Sequence, residues 1–218
     1  MIAHSPARSD AREQQPAAGL PDDVSADARP LRADARRNRD RLVEVAKAAF
    51  SERGAEAALE DIARRAGVGV GTLYRHFPTR EHLVEAVYRQ EVEALSLAAE
   101  ALARDYPPDR ALAEWMQRFV GYIAAKRGMA GSLRLLISSK SGLFSDASGL
   151  VQGALHRLVD AAREAGSIRD DVDASDIFHA LSGIYNAPDT PEWQDRSRRM
   201  IALLMDGLRW GAALPPRP

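Results

Sequence analysis

Residues 59–84 combine two short helical segments, a glycine-rich turn and the start of a third helix. The first segment has apolar residues at the i, i+3, i+4, i+7 spacing of one helix face: Leu59, Ile62, Ala63 and Ala66. Gly67 is predicted to cap its C-terminus, and a second short helix is predicted to open at Gly71 and to end before Pro78. Two short helices joined by a short turn that contains glycine form a helix-turn-helix, so the segment predicts one.

The second short helix has the composition of a helix that reads DNA. Small, polar and cationic groups are expected on its outer side: Thr72, Tyr74, Arg75 and His76. Gly71 is expected to allow close approach of the backbone. That mixture suits the major groove and its flanking phosphates, and Arg75 could bond a guanine edge. Leu73 and Phe77 are instead expected to anchor the helix in a core. Thr79 is expected to cap the helix that follows.

One motif runs through this segment: Ile62-Ala63-x-x-Ala66-Gly67-Val68-x-Val70-Gly71-Thr72-Leu73-Tyr74-x-His76-Phe77-x-x-Arg80-x-x-Leu83. It resembles the DNA-binding segment of the TetR family of transcriptional regulators, over residues 38–84. The resemblance implies that Tyr74 and His76 face the DNA backbone. It also implies that Arg80, which replaces the lysine frequent there, holds a phosphate. One departure is alanine at both Ala57 and Ala58, where the family usually has a Ser or Thr that caps the first of the two helices.

Positive charge is concentrated around this segment. Residues 31–80 carry 11 basic and 7 acidic side chains, or +4, whereas residues 81–218 carry 16 and 19, or −3. Electrostatic capture of phosphates requires such a placement. The arginine run before the first helix is interpreted either as a solvated helix start or as an arm along the DNA backbone or minor groove, and Arg64 faces either phosphates or solvent. The residues expected to contact DNA are Arg36, Arg37, Arg39, Arg64, Gly71, Thr72, Tyr74, Arg75, His76 and Arg80.

The composition argues against several other classes of protein. The chain has no cysteine, which excludes disulfides, thiol nucleophiles and thiolate metal sites. It has no apolar run of 18 residues and no secretory leader. Its five histidines form no His-x-x-x-His pair, and the glycines at 67, 69 and 71 follow no predicted strand and precede no lysine. We therefore expect a cytoplasmic protein that is not an enzyme and that needs no cofactor or metal.

The rest of the chain predicts helices only. Apolar residues at helical spacing, interrupted by prolines and glycines, indicate an all-α fold of about nine helices. We expect four parts in the chain: a disordered tail at 1–33, a three-helix helix-turn-helix DNA-binding domain at 34–84, a helical effector-binding and dimerisation domain at 85–212, and a C-terminal tail at 213–218.

The last two predicted helices carry apolar residues that can be interpreted in two ways. They belong either to the core of one protomer or to a two-helix face that packs against its own copy in a four-helix dimer interface. Two recognition helices related by a twofold axis reach successive major grooves about 34 Å apart. In the resembling family the last two helices dimerise in this way. The residues assigned to that interface are Ile177, Leu181, Ile184, Trp193, Ile201, Leu204, Met205 and Leu208.

The middle of the chain is rich in bulky, adaptable side chains, which either fill the core or line an apolar cavity. The resemblance implies a small-molecule pocket in this region but does not imply which residues line it. The candidates are Trp115, Met116, Phe119, Tyr122, Met129, Leu133, Ile137, Phe144, Phe178 and Tyr185.

Together these features predict a homodimeric, sequence-specific DNA-binding transcriptional regulator, with a repressor preferred over an activator. Its expected partners are double-stranded operator DNA with inverted symmetry, a small apolar or amphipathic effector and a second copy of the chain, with no membrane partner. The effector would favour a state in which the long fourth helix moves the two DNA-binding heads off their proper separation. The alternative is a helical protein-interaction module whose helix-turn-helix is only a scaffold, which predicts no DNA retention at low salt.

Overall fold

A computed structural model of the protein describes residues 28–138, 143–188 and 190–210. Within these ranges the side chains of residues 28–32, 55, 137–138, 143–145 and 185 are not described. The tails predicted at 1–33 and 213–218 lie outside the described residues, except for residues 28–33. Those residues form the start of the first helix, because an alanine- and arginine-rich sequence has a high helix propensity.

Nine α-helices and one 3₁₀ turn make up the described chain. They are α1 (Ala28–Arg53), the 3₁₀ turn (Gly54–Glu56), α2 (Leu59–Arg65), α3 (Val70–His76), α4 (Arg80–Asp105), α5 (Pro108–Gly128), α6 (Ala130–Ser138), α7 (Leu143–Glu164), α8 (Ala174–Asn186) and α9 (Trp193–Arg209). No strand occurs among the described residues, so the predicted all-α fold is confirmed.

The chain divides into two units, Met1–Arg36 and Arg37–Pro218. The first unit contributes only the start of α1 to the described residues, and the packing described below concerns the second. The boundary predicted between residues 84 and 85 falls inside α4, which is one continuous helix. The helix-turn-helix segment and the helices after it are therefore joined through a helix rather than through a flexible linker.

The segment from α1 to α3 owes its turns to glycine. Gly54 and Gly67 have φ angles of 56° and 68°, a left-handed conformation that side chains with a Cβ rarely adopt, so α1 and α2 end where glycine occurs. Ala58 is the N-cap of α2 and makes no side-chain capping bond, as the alanines at 57 and 58 predict. At the next helix start, Thr79 is the N-cap of α4, but its hydroxyl contacts His82 Nδ1 at 3.0 Å instead of a backbone amide.

The centre of the second unit is formed by α4, α5 and α7, which pack against one another. Trp115 on α5 is fully buried and donates from its indole N–H to the backbone oxygen of Leu95 on α4, at 2.8 Å. The α1 and α4 helices are also joined by an ion pair, in which Lys47 Nζ lies 2.6 Å from Oε1 of the buried Glu91. The long helix α4 is therefore held by apolar packing and by a charged pair, both on its buried face.

The ends of α1 and α5 approach each other closely at Gly128. A Cβ atom added at this position would lie 2.2 Å from the backbone oxygen of Phe50, well inside van der Waals contact. The 3₁₀ turn that follows α1 also contacts α5 and α6. This is a place where only glycine allows the end of α1 to lie against α5.

Among the described residues, no helix is both long enough and apolar enough to cross a membrane. Within the same ranges, no group of three or more His, Cys, Asp or Glu side chains is placed to hold a metal ion.

Candidate nucleic-acid interface and internal cavity

The α3 helix presents one outward face to solvent. Leu73 and Phe77 are 0% and 3% exposed, so they anchor the helix in the core as the sequence predicts. Gly71, Tyr74 and Arg75 are exposed on the opposite side, which makes them the part of the helix able to enter a groove. Arg75 has no hydrogen bond or ion pair with any other described residue, and its five N–H donors are available to a base edge or a phosphate.

Three further positions complete this face. Thr72 and His76 are half-buried at its edges, and Val70, the first residue of α3, is 40% exposed. Residues near the start of a recognition helix contact base edges, and an apolar side chain there can contact a thymine methyl group. Val70 is not among the residues expected to contact DNA, because the second short helix was predicted to open one residue later, at Gly71. The signal that could have found it is the N-cap position of Gly69, which makes Val70 the first helical residue.

Tyr74 is linked to the neighbouring helix of the motif. Its hydroxyl donates to Oε1 of Glu60 on α2, at 3.3 Å. The negative charge of Glu60 raises the pKa of Tyr74, with smaller contributions from desolvation and from the hydrogen bond itself. The phenol therefore stays protonated and can donate, and a phosphate oxygen could take the place of Glu60 as its acceptor.

The arginines of α2 are paired within the protein. Asp61 accepts from Arg53 at 2.8 Å and also from Arg64, and Arg65 donates to Glu52 at 2.9 Å. The hydrogen bond and charge of Arg64 lower the pKa of Asp61. Arg64 would therefore have to share or give up Asp61 to bind a phosphate. Its side chain is 74% exposed, so solvent and phosphate remain alternative partners.

The contacts of Arg80 differ from what the resemblance implies. Its guanidinium donates to the backbone oxygens of Ala57 at 2.6 Å and Gly54 at 3.3 Å, and lies 5.0 Å above the ring of Phe50. These are contacts to the protein itself, and they hold the turn between α1 and α2 against the start of α4. Arg80 is thus a positioning residue for the helix-turn-helix, and its expected phosphate contact is not part of the function proposed below.

The arginines before the motif lie on the first helix. Arg36, Arg37 and Arg39 are all exposed on α1. The guanidinium of Arg39 lies 5.5 Å from the ring centre of Phe77, which places it beside the C-terminal end of α3. These residues form a helix rather than an extended arm, so a minor-groove arm is not what this segment provides.

A cavity of about 290 Å³ lies among the C-terminal helices. Its lining comes from α4, α5, α7 and α8: Tyr88, Phe119, Tyr122, Ile123, Lys126, Ser148, Val151, Phe178, Ser182 and Asn186. The hydroxyl oxygens of Tyr88 and Tyr122 lie 3.2 Å apart, and the rings of Phe119 and Tyr122 are 5.5 Å apart between centroids. The cavity therefore has an aromatic wall and several polar groups.

Three of the ten pocket candidates from the sequence line this cavity: Phe119, Tyr122 and Phe178. Trp115, Met116, Met129 and Leu133 do not, because they are buried in the packed core. The side chains of Ile137, Phe144 and Tyr185 lie outside the described residues. Sequence reasoning selected bulky apolar residues and so missed the smaller and polar ones, which only the crossing of four helices brings together.

The interface predicted on the last two helices needs correction. Seven of its eight residues are buried within one protomer, at 0–5% exposure: Ile177, Leu181, Ile184, Trp193, Ile201, Met205 and Leu208. A side chain without exposed surface cannot also contact a second copy. Only Leu204 is partly exposed. The strongest apolar stripe of an amphipathic helix faces its own core, and the predicted interface residues, except Leu204, belong to that stripe.

A second, weaker apolar stripe lies on the outside of α9. Trp210, the C-cap residue after α9, is 81% exposed and has an extended backbone. Met200 and Leu203 within the helix are 45% and 72% exposed, and with Gly207 they recur at i, i+3 and i+7. This spacing places them on one helix face. The exposed surface of α8 includes the small residues at 180 and 183, which would allow another helix to approach closely.

Two family models match the chain. The model described as "Bacterial regulatory proteins, tetR family" matches residues 42–87, which include α2 and α3. The model described as "Transcriptional regulator SbtR-like, C-terminal domain" matches residues 107–210, which include α5 to α9.

Individual proteins are similar over comparable regions. The structure of a TetR transcriptional regulator from Streptomyces coelicolor is 46% identical with a TM-score of 0.71, over 78% of this chain and 98% of that one. A TetR transcription regulatory protein from Mycobacterium vanbaalenii is 37% identical with a TM-score of 0.66, over 83% and 99%. An HTH-type transcriptional regulator from Staphylococcus aureus (strain USA300) is 35% identical over 77 residues, which are 35% of this chain and 42% of that protein. This chain thus spans less than half the length of that curated relative, and all three proteins are described as regulators rather than enzymes.

Proposed function

The chain belongs to the TetR family of transcriptional regulators, and from that premise we propose that it is a homodimeric repressor. In this proposal, an effector that binds in the internal cavity releases the protein from operator DNA. That it is a DNA-binding regulator follows from the family. The observation that supports the proposal is the outward face of α3, where exposed polar and cationic side chains lie opposite the buried Leu73 and Phe77.

In the proposed complex α3 lies in the major groove. Val70, Gly71 and Thr72 at its start approach base edges, and Arg75 bonds a base edge or an adjacent phosphate. Tyr74 exchanges Glu60 for a backbone phosphate, and His76 contacts the same strand. The exposed arginines of α1 supply electrostatic attraction to neighbouring phosphates.

A second copy is proposed to pack on the outer stripe of α9 and the small-residue face of α8. Exposed apolar residues at helical spacing support this surface, since a helix face of this kind buries itself against another helix. A groove of about 310 Å³ between α8 and α9, lined in part by Leu203 and Leu204, adds a concave site beside the stripe. A twofold axis there would pair the two recognition helices for successive grooves of one operator.

Release by an effector is supported by the position of the cavity. Tyr88, which lines it, belongs to the same helix as Arg80, which holds the helix-turn-helix. An effector that fits the cavity better in one orientation of α4 shifts the protein toward that orientation, and only such a difference in affinity can release DNA.

The direct test selects fragments bound by the purified protein from random duplex DNA and inspects them for inverted symmetry. We expect a palindromic site whose recovery is lost with Arg75→Met. The Leu203→Glu variant should sediment as a monomer and lose affinity for the full palindrome, whereas Leu97→Glu, at an equally exposed leucine on α4, should stay dimeric. Bound fragments without symmetry, or a wild-type protein that is monomeric at micromolar concentration, would contradict the proposed dimer.

A helical interaction module that uses its helix-turn-helix only as a scaffold is the competing function. It predicts no retention on duplex DNA at low salt and no effect of Arg75→Met in any DNA assay. Arg75 lies on an exposed helix face and no other described residue accepts from its N–H donors, which favours DNA over this alternative.

A further inference from the structure

We propose that the cavity among α4, α5, α7 and α8 takes an uncharged aromatic compound of one ring or two fused rings. This rests on the proposed function insofar as the cavity is the effector site. It narrows the effector from any small apolar or amphipathic molecule to a neutral one that binds through its ring.

The hydroxyl groups of the lining are the first observation, because they already bond within the protein. The hydroxyl oxygens of Tyr88 and Tyr122 lie 3.2 Å apart, so that one of them donates to the other. Ser148 accepts from the amide of Gln152 at 3.0 Å. These three polar side chains therefore have partners before any ligand enters.

The other polar side chains of the described lining are engaged as well. The hydroxyl of Ser182 donates to the backbone oxygen of Phe178 at 2.8 Å, and the amide of Asn186 donates to the backbone oxygen of Ser182 at 3.3 Å. Asn186 is exposed, so the rest of its amide is open to water. Lys126 has an interaction partner within the protein, and burial lowers its pKa.

This pairing favours a neutral ligand over a charged one. A carboxylate would have to compete with the existing partner of Lys126, and an ammonium ion would meet no Asp or Glu among the described lining residues. A charged group that leaves water without gaining a partner carries a large unfavourable free energy. An uncharged compound avoids that cost.

Aromatic rings form one wall of the cavity. The ring centroids of Phe119 and Tyr122 lie 5.5 Å apart at an interplanar angle of 45°, and those of Tyr88 and Tyr122 lie 6.3 Å apart at 35°. The fully buried Trp115 stacks on Phe119 at 5.9 Å, which holds this wall in place. Aromatic rings attract one another in such offset and tilted arrangements, so a ligand ring can extend the series.

Phe178 on α8 adds apolar surface that the protein leaves partly uncovered. It is half-buried, whereas the other three aromatic residues of the described lining are buried. A ring that packs on Phe178 removes apolar surface of both from water. The volume of about 290 Å³ lies at the lower end of the range of about 300–1,000 Å³ for pockets that bind drug-sized ligands, which suits one ring or two fused rings.

The test compares neutral aromatic esters with matched counterparts. Methyl phenylacetate and methyl 1-naphthylacetate are each titrated against the full-length protein beside the carboxylate, the 2-arylethylammonium ion and the ester with a saturated ring. Dissociation constants are taken from the concentration dependence of the melting temperature. We expect at least one aromatic ester to bind roughly tenfold or more tightly than both charged counterparts, and roughly two- to tenfold more tightly than its saturated counterpart.

Variants of α8 assign this binding to the cavity. Ser182→Phe places a side-chain ring in the cavity and should weaken binding of the ester roughly tenfold or more. The control is Ser175→Phe, the same substitution at an exposed position of α8 outside the described lining, which should leave the affinity unchanged. If Ser182→Phe does not fold, Phe178→Leu decides, because it keeps an apolar side chain but should reduce the preference for the aromatic over the saturated ester.

Four results would each overturn the inference. They are a charged counterpart that binds as tightly as the ester, a saturated ester that binds as tightly as the aromatic one, an ester affinity that Ser182→Phe leaves unchanged, and a panel in which no aromatic ester raises the melting temperature.

Binding of duplex DNA, measured with the same protein samples, separates this inference from the proposed function. A protein that binds DNA but prefers a charged ligand, or binds no ester, refutes only the ligand class. A protein that binds the ester in the cavity but retains no duplex DNA refutes the proposed regulator and leaves the ligand site in place.

Discussion

Replacing Arg80 with methionine tests whether this residue holds the helix-turn-helix or touches DNA. The aliphatic stem is largely kept, whereas the two hydrogen bonds to the oxygens of Ala57 and Gly54 and the stacking over Phe50 are lost. The expected result is a less stable protein, because the turn between α1 and α2 loses the group that fastens it to α4.

The magnitude follows from the geometry. Hydrogen bonds from a charged donor contribute about 1.5–3 kcal/mol each, and a cation–π contact about 0.5–1 kcal/mol. The bond to Gly54 is long at 3.3 Å and is not counted. The bond to Ala57 and the ring contact together give about 2–4 kcal/mol, and the lower half of that range applies because the side chain is only partly buried. We expect a loss of about 2–3 kcal/mol in the free energy of unfolding, which for a chain of this size lowers the melting temperature by about 5–10 °C.

The assay is urea and thermal unfolding at one fixed protein concentration, together with DNA affinity as a function of salt. Arg75→Met is the matched control, because Arg75 is exposed and without a described partner. It should change stability by less than about 0.5 kcal/mol while weakening DNA binding. Arg80→Met should leave the slope of log affinity against log salt unchanged, whereas loss of one phosphate contact would flatten it by about 0.9.

The opposite pattern would refute the reasoning. If Arg80→Met unfolds like the wild type and flattens the salt slope, Arg80 contacts a phosphate, as the resemblance implies, and the contacts in the free protein contribute little. A change in the slope of the urea transition would instead indicate a changed unfolded or native ensemble.

Two further substitutions test the close approach at the end of α5 and the charge beside the recognition helix. Gly128→Ala should lower the free energy of unfolding, measured in urea, by about 1–3 kcal/mol, since its Cβ would overlap the oxygen of Phe50. The control is Gly121→Ala on the same helix, where an added Cβ meets nothing within 4 Å and should stabilise the protein by up to about 1 kcal/mol. Equal effects of the two substitutions would refute the steric argument. Glu60→Gln keeps an acceptor for Tyr74 but removes a negative charge near the phosphates. DNA affinity at low salt should therefore rise roughly twofold, which corresponds to about 0.5 kcal/mol of binding free energy, and should converge with that of the wild type at high salt. Unchanged affinity at low salt would place Glu60 away from the DNA.

Comparing the predicted and observed contacts of individual residues shows what local sequence can and cannot specify. Gly67 fixed the end of α2, and Pro78 with the spacing of Leu73 and Phe77 fixed the C-terminal end and the buried face of the recognition helix. These features could be predicted because φ angles, proline sterics and helix periodicity act within a few residues. Arg80 could not be interpreted in the same way. Its partners lie 23 and 26 residues away along the chain, and no periodicity encodes that contact.

The same limit applied to the C-terminal helices. An apolar stripe predicts that a helix face will be buried but does not indicate which surface covers it. Ile177 and Ile201, which were predicted to lie in a dimer interface, are therefore found in the core of one protomer. The cavity depends on where four helices cross. Lys126 and Ser182 stand on different helices, and nothing in either sequence neighbourhood shows that they line one space.

By itself the sequence determined an all-helical chain with a helix-turn-helix near its N-terminus, since helix boundaries and turn geometry arise from local torsional preferences and short-range spacing. The tertiary structure alone decided which arginine holds the fold, which apolar stripe stays exposed and which side chains share a cavity. Those outcomes depend on contacts between residues far apart in the chain, whose geometry is set only when the helices pack.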